Sequence, residues 1–379
     1  MKRIAIEQRK DWQLRVEEKG LLFHHTEEGL YWDERAYYKF TADQIDVLDD
    51  ATNELHKMCL AAVSHVIEKN RFAELGISPE VAEVIRDSWR REDPSLYDRF
   101  DFVYDGINPP KMLEYNADTP TGLQEASISQ WFWLEEVFGD KYDQFNSIHE
   151  KLLETWNGLR KFIPSNKLHL ACVAEHIEDL VTTTYLQDTA EQAGIEAELI
   201  FMGDIGFDAE QNRFVDMKNN FIGSLFKLYP WEWLVSDQFG PMALANYKGM
   251  LWLEPIWKMI LSNKGLLPIL WELYPNHENL LPAYFDGPRE MTKYVRKPLL
   301  SREGANVTIF DGDKETHTPG SYGEEGYIYQ GLAEIPCFDG NYPVLGCWVI
   351  GGHSAGLGIR ESKTLITDNF SRFVPHLFE

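Results

Sequence analysis

The chain has 379 residues, 44 % hydrophobic and 26 % charged, and its 36 basic against 61 acidic side chains give a formal charge of −25. At about 150 residues per domain the length implies two to three units with a core that needs no disulfide or metal staple. The composition excludes a disordered or fibrous chain. The acidic balance argues against duplex nucleic acid, whose phosphates require Lys and Arg; a cationic ligand or plain solubility suits it equally.

Cys59, Cys172, Cys337 and Cys347 show no CxxC spacing, so neither a zinc site nor a disulfide framework is expected. The first residues, Met1-Lys2-Arg3-Ile4-Ala5-Ile6-Glu7, lack the apolar region of a signal peptide. No stretch reaches the ~18 apolar residues of a membrane helix. The expectation is a soluble cytoplasmic protein with neither membrane nor nucleic-acid partner; assembly into a homo-oligomer is compatible with it.

Thr41-Ala42-Asp43-Gln44 reads as a capping box. Behind it Ile45, Leu48, Leu55, Cys59, Ala62 and Val66 recur at helical spacing, predicting a helix to about residue 69. Over 99–116 the period changes to two. Phe100 and Phe102 alternate with Arg99 and Asp101; after the turn Asp105-Gly106-Ile107-Asn108-Pro109-Pro110, Leu113 and Tyr115 alternate with Glu114 and Asn116. That is a hairpin.

An α/β unit follows, with a strand over 168–174, a helix over 182–193 stopped by Gly194, and a strand over 197–202. Trp-rich helical stretches are expected over 231–238 and 251–274. Short strands over 293–298, 306–310, 326–332, 342–350 and 357–366 suggest an antiparallel sheet. There is no internal repeat or low-complexity linker.

The hairpin carries the strongest chemical signal. Alternation puts Arg99 and Asp101 on one strand face and Glu114 and Asn116 on another, so two carboxylates, an amide oxygen and a guanidinium can converge. Hard oxygen ligands suit Mg²⁺, and Arg grips phosphate or carboxylate. A solvated sheet face with a cross-strand ion pair explains the pattern equally. Lys297, emerging from Tyr294-Val295-Arg296-Lys297-Pro298 beside the loop Ser301-Arg302-Glu303-Gly304-Ala305-Asn306, could hold phosphates over a backbone nest. An exposed hairpin is the alternative, and there is no Walker A or GxGxxG motif.

Gly352-His353-Ser354-Ala355-Gly356 matches a nucleophile elbow, with Asp368 and His376 following in order. The Gly-rich continuation is a poor helix start, which counts against a serine hydrolase. The eleven histidines show no paired ligand spacing, and structural or surface roles are expected for them. Trp231, Trp233, Trp252 and Trp257 are expected in the core, and the sequons at Asn306 and Asn369 carry no role in the cytoplasm.

Arg99-Phe100-Asp101, Glu114-Tyr115-Asn116-Ala117-Asp118, Glu254-Pro255-Ile256-Trp257, Ser262-Asn263-Lys264, Lys297-Pro298 and Ile328-Tyr329-Gln330 occur in one order along the chain. In this combination the sequence resembles the glutathionylspermidine synthase family, in particular its stand-alone acid–amine ligases, over residues 20–379. The resemblance implies an α+β, circularly rearranged ATP-grasp-like fold with mixed and antiparallel sheets around a central α/β pre-ATP-grasp unit. Its parts would be a helical segment plus metal hairpin over 1–160, an α/β substrate unit over 161–255 and a nucleotide region with a lid over 256–379, interlocked as one synthetase. The lid candidate is 300–326.

The activity implied is ATP-dependent amide formation between a small-molecule acid and an amine through an acyl phosphate, the amine being a polyamine. A catalytically silent ATP- or peptide-binding homologue is the alternative. By motif, Asp101, Glu114 and Asn116 would hold two Mg²⁺ ions. Arg99 would contact ATP and the acyl substrate, and Arg360 the acyl-transfer centre. Lys264 and Lys297 would bind phosphates under a loop containing Gly304 and Ala305. Gln330, Gly331, Leu332 and Ala333 would form the adenine hinge, with Leu365, Ile366 and Thr367 opposite. Glu178 and Asp179 would bind the substrate peptide.

Three places in the chain depart from the family. Lys227-Leu228-Tyr229-Pro230-Trp231-Glu232 stands where Lys-Thr-Trp-Ala-Trp-Glu is usual, so Leu228 replaces a hydroxyl that helps hold glutathione. Thr119-Pro120-Thr121 replaces a Ser-Ala-Ser run, and Val344 replaces a Gln. Glutathione is therefore expected to be a poor substrate. With no Cys before Cys59, amidase activity is not expected either.

Overall fold

The capping box forms. Thr41 Oγ1 accepts from the Gln44 N–H at 3.3 Å, while Gln44 Oε1 accepts from the Thr41 N–H at 3.1 Å. The helix Ala42–Lys69 follows and ends on Asn70 in the left-handed region. A computed structural model describes residues 1–26, 29–366 and 371–379, and in it the apolar stripe of this helix is buried beneath a five-stranded antiparallel sheet. The strand order there is Arg372–Phe373, His353–Ser362, Tyr342–Ile350, Tyr97–Val103, Lys111–Asn116. The architecture is α+β.

All seven residues of Tyr97–Val103 are buried. The hairpin alternation thus separates a core face, where Phe100 stacks on Tyr115 at 3.7 Å, from a face that lines a cleft. Arg99 and Asp101 are 8 % and 4 % exposed, which removes the reading of a solvated sheet face. Beneath the strand, Lys258 Nζ lies 2.7 Å from Asp98 and 2.6 Å from Glu254, all fully buried. Glu254 also accepts from the Leu96 and Tyr97 N–H groups, so this ionic cluster fixes the entry to the strand.

The α/β unit is a four-stranded parallel sheet in the order Leu251–Leu253, Ser224–Leu228, Lys167–Cys172, Glu196–Phe201. Helix Ile177–Gln192 makes the crossover between the last two and stops at Gly194, whose φ is +79°. This helix begins five residues before the predicted start. The expected helix over 251–274 is corrected too: Leu251–Leu253 is a strand, and only Leu266–Leu273 forms a regular helix of length. A short apolar run buried on both sides has no periodicity that distinguishes the two states.

A second five-stranded antiparallel sheet runs Ala283–Tyr284, Tyr327–Gly331, Lys293–Pro298, Thr308–Asp311, Lys314–His317. The last two strands form a hairpin inside the 300–326 segment. Lys2–Ala5, Ala36–Phe40 and His376–Phe378 make a three-stranded sheet that joins distant parts of the chain.

The strand expected over 357–366 is His353–Ser362, and this overturns the hydrolase reading. Ser354 is the second residue of a ten-residue antiparallel strand and only 2 % exposed. His376 Nδ1 meets Gln130 Oε1 at 2.9 Å instead of a serine. An elbow needs its nucleophile on an exposed strand-to-helix turn. Asp368 and Asn369 lie outside the described residues. Among the described residues no helix is long and apolar enough to cross a membrane.

Candidate functional site

The three large sheets converge on one cleft of about 270 Å³. Its floor is the hairpin, whose register pairs Arg99 directly with Asn116 and Asp101 with Glu114. The register shifts immediately after Asp101 and pairing resumes at Phe102–Met112, so the bulge sits where the chemistry-bearing side chains end. Arg99 grips Asp101 with both arms of its fork, Nε to Oδ1 at 2.7 Å and Nη2 to Oδ2 at 3.1 Å. Its remaining Nη1 donates to the Thr121 carbonyl at 2.6 Å. Arg360, from His353–Ser362 two strands away across Tyr342–Ile350, brings Nη2 to 3.7 Å from Asp101 Oδ2.

Two lysines close the other side. Lys264 Nζ lies 3.0 Å from Glu114 Oε2 and donates to the Ser301 carbonyl at 2.6 Å. Lys297 Nζ donates to Gln330 Oε1 at 2.7 Å and to the Leu113 carbonyl at 3.1 Å. Burial favours the neutral form of Glu114, but Lys264 and Lys297 outweigh it and hold the carboxyl well below the usual carboxylate range. Burial lowers Lys297 to about 8; Glu114 works against that shift and Lys264 adds to it. Four cationic heads against two carboxylates leave this end of the cleft positive, which suits a polyanion.

Asp101, Glu114 and Asn116 are the hard oxygen donors Mg²⁺ prefers, and they fit it. The Asn116 amide nitrogen now donates to Glu114 Oε1 at 3.2 Å and to Asp101 Oδ2 at 3.4 Å. A half-turn of that amide presents its oxygen instead.

Beside the charges lies an apolar slot. Val295, Val307 and Ile309 are buried together with Leu332 and Ile366 packed on them. Val295 shares a strand face with Lys297 by simple alternation, and Ile309 and Gln330 are its direct cross-strand partners. Gly304, Gly331, Ala333 and Leu365 complete the wall. Ala305 is not among the lining residues, and Thr367 lies outside the described ones. The Gln330 side chain is committed to Lys297 and to the Met112 carbonyl, so it ties the second sheet to the hairpin.

The opposite end sits where the parallel sheet reverses strand order, beyond the carboxyl ends of Lys167–Cys172 and Ser224–Leu228. Open α/β sheets bind ligands at such a switch point. Val173, Leu228, Pro230 and Trp233 give it an apolar wall, and His176, Glu178 and Asp179 come from the start of helix Ile177–Gln192. Asp179 is raised to about 6 by burial, with Glu178 adding to the shift. Glu125, 1 % exposed behind them, is raised to about 7, again by burial and then Glu178; Tyr31 donates to it at 2.6 Å. Of the tryptophans expected in the core, Trp231, Trp252 and Trp257 are buried, whereas Trp233 is 37 % exposed at the cleft.

Sequence reasoning gave no role to Arg302. It spans the two ends, donating to Glu232 Oε1 at 2.5 Å and to Thr119 Oγ1 at 2.8 Å. Its place five residues after Lys297, in a loop of small residues, was the available signal. His176 and Trp233 offered none, because only the fold carries them to the cleft.

A family model described as glutathionylspermidine synthase pre-ATP-grasp matches residues 3–379. The chain belongs to that family. A Haemophilus influenzae protein named "Putative acid–amine ligase" is 44 % identical over 92 % of this chain and 91 % of its own length. A trypanothione synthetase of Crithidia fasciculata is 32 % identical, covering 84 % of this chain but 53 % of the relative. The bifunctional glutathionylspermidine synthetase/amidase of Escherichia coli is 29 % identical over 89 % of this chain and 58 % of its own length. The chain thus spans little more than half of these two longer family members. Among solved structures, a glutathione synthetase-like effector from Globodera pallida superposes over 98 % of both chains with a TM-score of 0.61 at 10 % identity, a likeness of fold.

Proposed function

We propose that the protein is an ATP- and Mg²⁺-dependent carbon–nitrogen ligase joining a small-molecule acid to an amine, the amine being a polyamine. The observation that carries this is the directly paired set Arg99–Asn116 and Asp101–Glu114, its first strand buried and its second half-buried, facing Lys264 and Lys297 and flanked by an apolar slot. A nucleotide needs both halves: a flat apolar seat for the base and cations for the phosphates. The names of relatives sharing up to 44 % identity support ligase chemistry.

In this reading Val295, Val307, Ile309, Leu332 and Ile366 seat the base, and Lys264 and Lys297 draw in the phosphates. Asp101, Glu114 and Asn116 hold the magnesium, which supplies charge neutralisation on the transferring phosphoryl group. Arg99 and Arg360 orient the acid so that its carboxylate oxygen faces the γ-phosphorus in line with the leaving oxygen, and they offset the charge that accumulates there. The product of that transfer is an acyl phosphate. Attack of the amine nitrogen on its carbonyl carbon forms the amide and releases phosphate. Glu178 and Asp179 attract the protonated amine, and Asp179, raised by burial and then by Glu178, can accept a proton from it. The 300–326 segment serves to exclude water from the hydrolysable intermediate.

The test is ADP release with candidate acids offered against candidate amines, with mass detection of the adduct. Amine-stimulated ADP release coupled to a mass equal to acid plus amine minus water is expected, spermidine-like amines being the strongest. ADP release that no acid–amine pair stimulates would leave a nucleotide-binding protein without ligase activity.

A further inference from the structure

The parallel sheet carries a second group of ligand atoms on its far half, away from the cleft. His169 is the third residue of Lys167–Cys172, and its register partner on the adjacent strand is Glu198. Asp216 comes from the connection that leads through the small hairpin Gly206–Asp208 and Arg213–Val215 into Ser224–Leu228. His169 Nε2 lies 3.9 Å from Glu198 Oε2 and 3.9 Å from Asp216 Oδ2. One ligand atom from each residue falls within 4.8 Å of the others.

His169 is 1 % exposed, yet neither ring nitrogen has a hydrogen-bond partner. A buried imidazole without partners bears an uncompensated desolvation cost unless something completes it. Asp216, 5 % exposed, is in contrast rigidly aimed: its Oδ1 accepts from the Lys218 and Asn220 N–H groups at 2.8 Å each, and its Oδ2 from Asn220 Nδ2 at 2.9 Å. Such outer hydrogen bonds are what orient ligating carboxylates in metal sites. Glu198, with its side chain 29 % exposed, supplies an entry path from solvent. At present Lys167 and Lys218 sit on its two oxygens at 2.8 and 3.0 Å. The oxygen facing His169, Oε2, is the one Lys167 holds, but the Lys218 side chain on Oε1 is 73 % exposed and cheaply displaced, and rotation of the carboxylate then turns Oε1 toward His169.

We propose that His169, Glu198 and Asp216 form a site for a divalent transition metal of the Zn²⁺ class, distinct from the magnesium site of the cleft. One imidazole nitrogen with two carboxylate oxygens suits Zn²⁺ and disfavours Mg²⁺ and Ca²⁺, which take oxygen sets. Ligand–metal bonds of about 2.0–2.2 Å need the three atoms to close by only about half an ångström, leaving a fourth position for water. The ion ties the connection before Ser224–Leu228 to two strands of the sheet, a structural role.

The experiment uses the full chain in excess Mg²⁺, with Zn²⁺ delivered against a chromophoric chelator. Wild type should take up one equivalent of Zn²⁺ more than His169→Gln, and its Tm should rise with the logarithm of free Zn²⁺ while that of the variant does not. Asp216→Asn should lose affinity at least tenfold. Lys218→Met, an exposed change that keeps the fold and frees a Glu198 oxygen, should bind Zn²⁺ at least as tightly as wild type. Equal Zn²⁺ uptake by wild type and His169→Gln overturns the site, as does a Lys218→Met protein that takes up no Zn²⁺ beyond the His169→Gln level. ADP release plays no part in these readouts.

Discussion

The two ends of the cleft are built by different means. At the phosphate end, regular antiparallel strands set side chains opposite one another, and each carboxylate already touches a cation: Asp101 with Arg99, Glu114 with Lys264. At the other end, residues come from strand termini, a helix start and a loop, and burial, with Glu178 adding to it, raises Asp179 to about 6. The first end is assembled before anything binds, and one arrangement serves any reaction that begins with phosphoryl transfer. In the proposed reading the second end offers Glu178 and Asp179 to a cationic ligand, with His176 Nδ1 3.4 Å from Asp179 Oδ2, and its apolar wall carries Leu228 where the resemblance implies a hydroxyl. In the proposed reading, chemistry belongs to one end and selectivity to the other.

The largest effect is expected beneath the phosphate end. Lys258→Met leaves Asp98 and Glu254 buried with no cation, and losing one partner of such a cluster costs about 3–5 kcal/mol. Urea unfolding should show that loss in the midpoint with an unchanged slope. A midpoint at the wild-type value would mean that the strand entry is not held by this cluster, and the preassembly attributed to it would have to come from packing alone.

Next is Glu114→Gln, which keeps shape but removes one formal charge from the magnesium donors. Turnover should fall on the order of 10²-fold, the usual cost of one electrostatic stabiliser, and half-saturation by Mg²⁺ should move to higher concentration. The loss should be the same for every acid and amine offered, because in the proposed reading this end meets only the carboxylate that all the acids share. A loss confined to one substrate pair would erase the division of labour between the ends.

The hairpin was legible because its signal is local. Period-two alternation and a Pro/Gly turn place Arg99, Asp101, Glu114 and Asn116 on one surface with no tertiary knowledge, and the register then pairs them. The capping box at Thr41 was legible for the same reason. Leu251–Leu253 was not, since this three-residue edge strand is made by its one parallel neighbour, Ser224–Leu228. Nor were Trp233, His176 and the His169–Glu198–Asp216 group, whose members lie far apart in the chain. Ser354 shows the converse error: a five-residue motif matched, and the strand it sits in removed its meaning.

A smaller effect separates the ends by pH. The Asp179 carboxyl, raised to about 6 by burial and Glu178, is neutral in acid and charged above that point. The attraction for a protonated amine is therefore missing at low pH and gained as pH rises through about 6. KM for the amine should fall several-fold between about pH 5 and about pH 8, and Asp179→Asn should flatten that step while leaving KM for ATP alone. A profile that persists in the variant would assign the step to another group and remove Asp179 from the amine site.

The smallest effect tests whether the apolar wall sets the choice of acid. Leu228 closes the strand Ser224–Leu228 at the cleft and is 2 % exposed, where the resembling family carries a hydroxyl. Leu228→Thr restores that donor on a β-branched side chain that suits a strand. One hydrogen bond is worth about 0.5–1.5 kcal/mol net, so KM for glutathione should fall about three- to tenfold. The contact is made in ground and transition states alike, hence kcat should hardly change. The lost methyl groups should also lower Tm, and that change serves as the control. A lower Tm with KM for glutathione unmoved would mean that the cost of the substitution is packing only, and that discrimination against glutathione resides instead in the Thr119-Pro120-Thr121 loop.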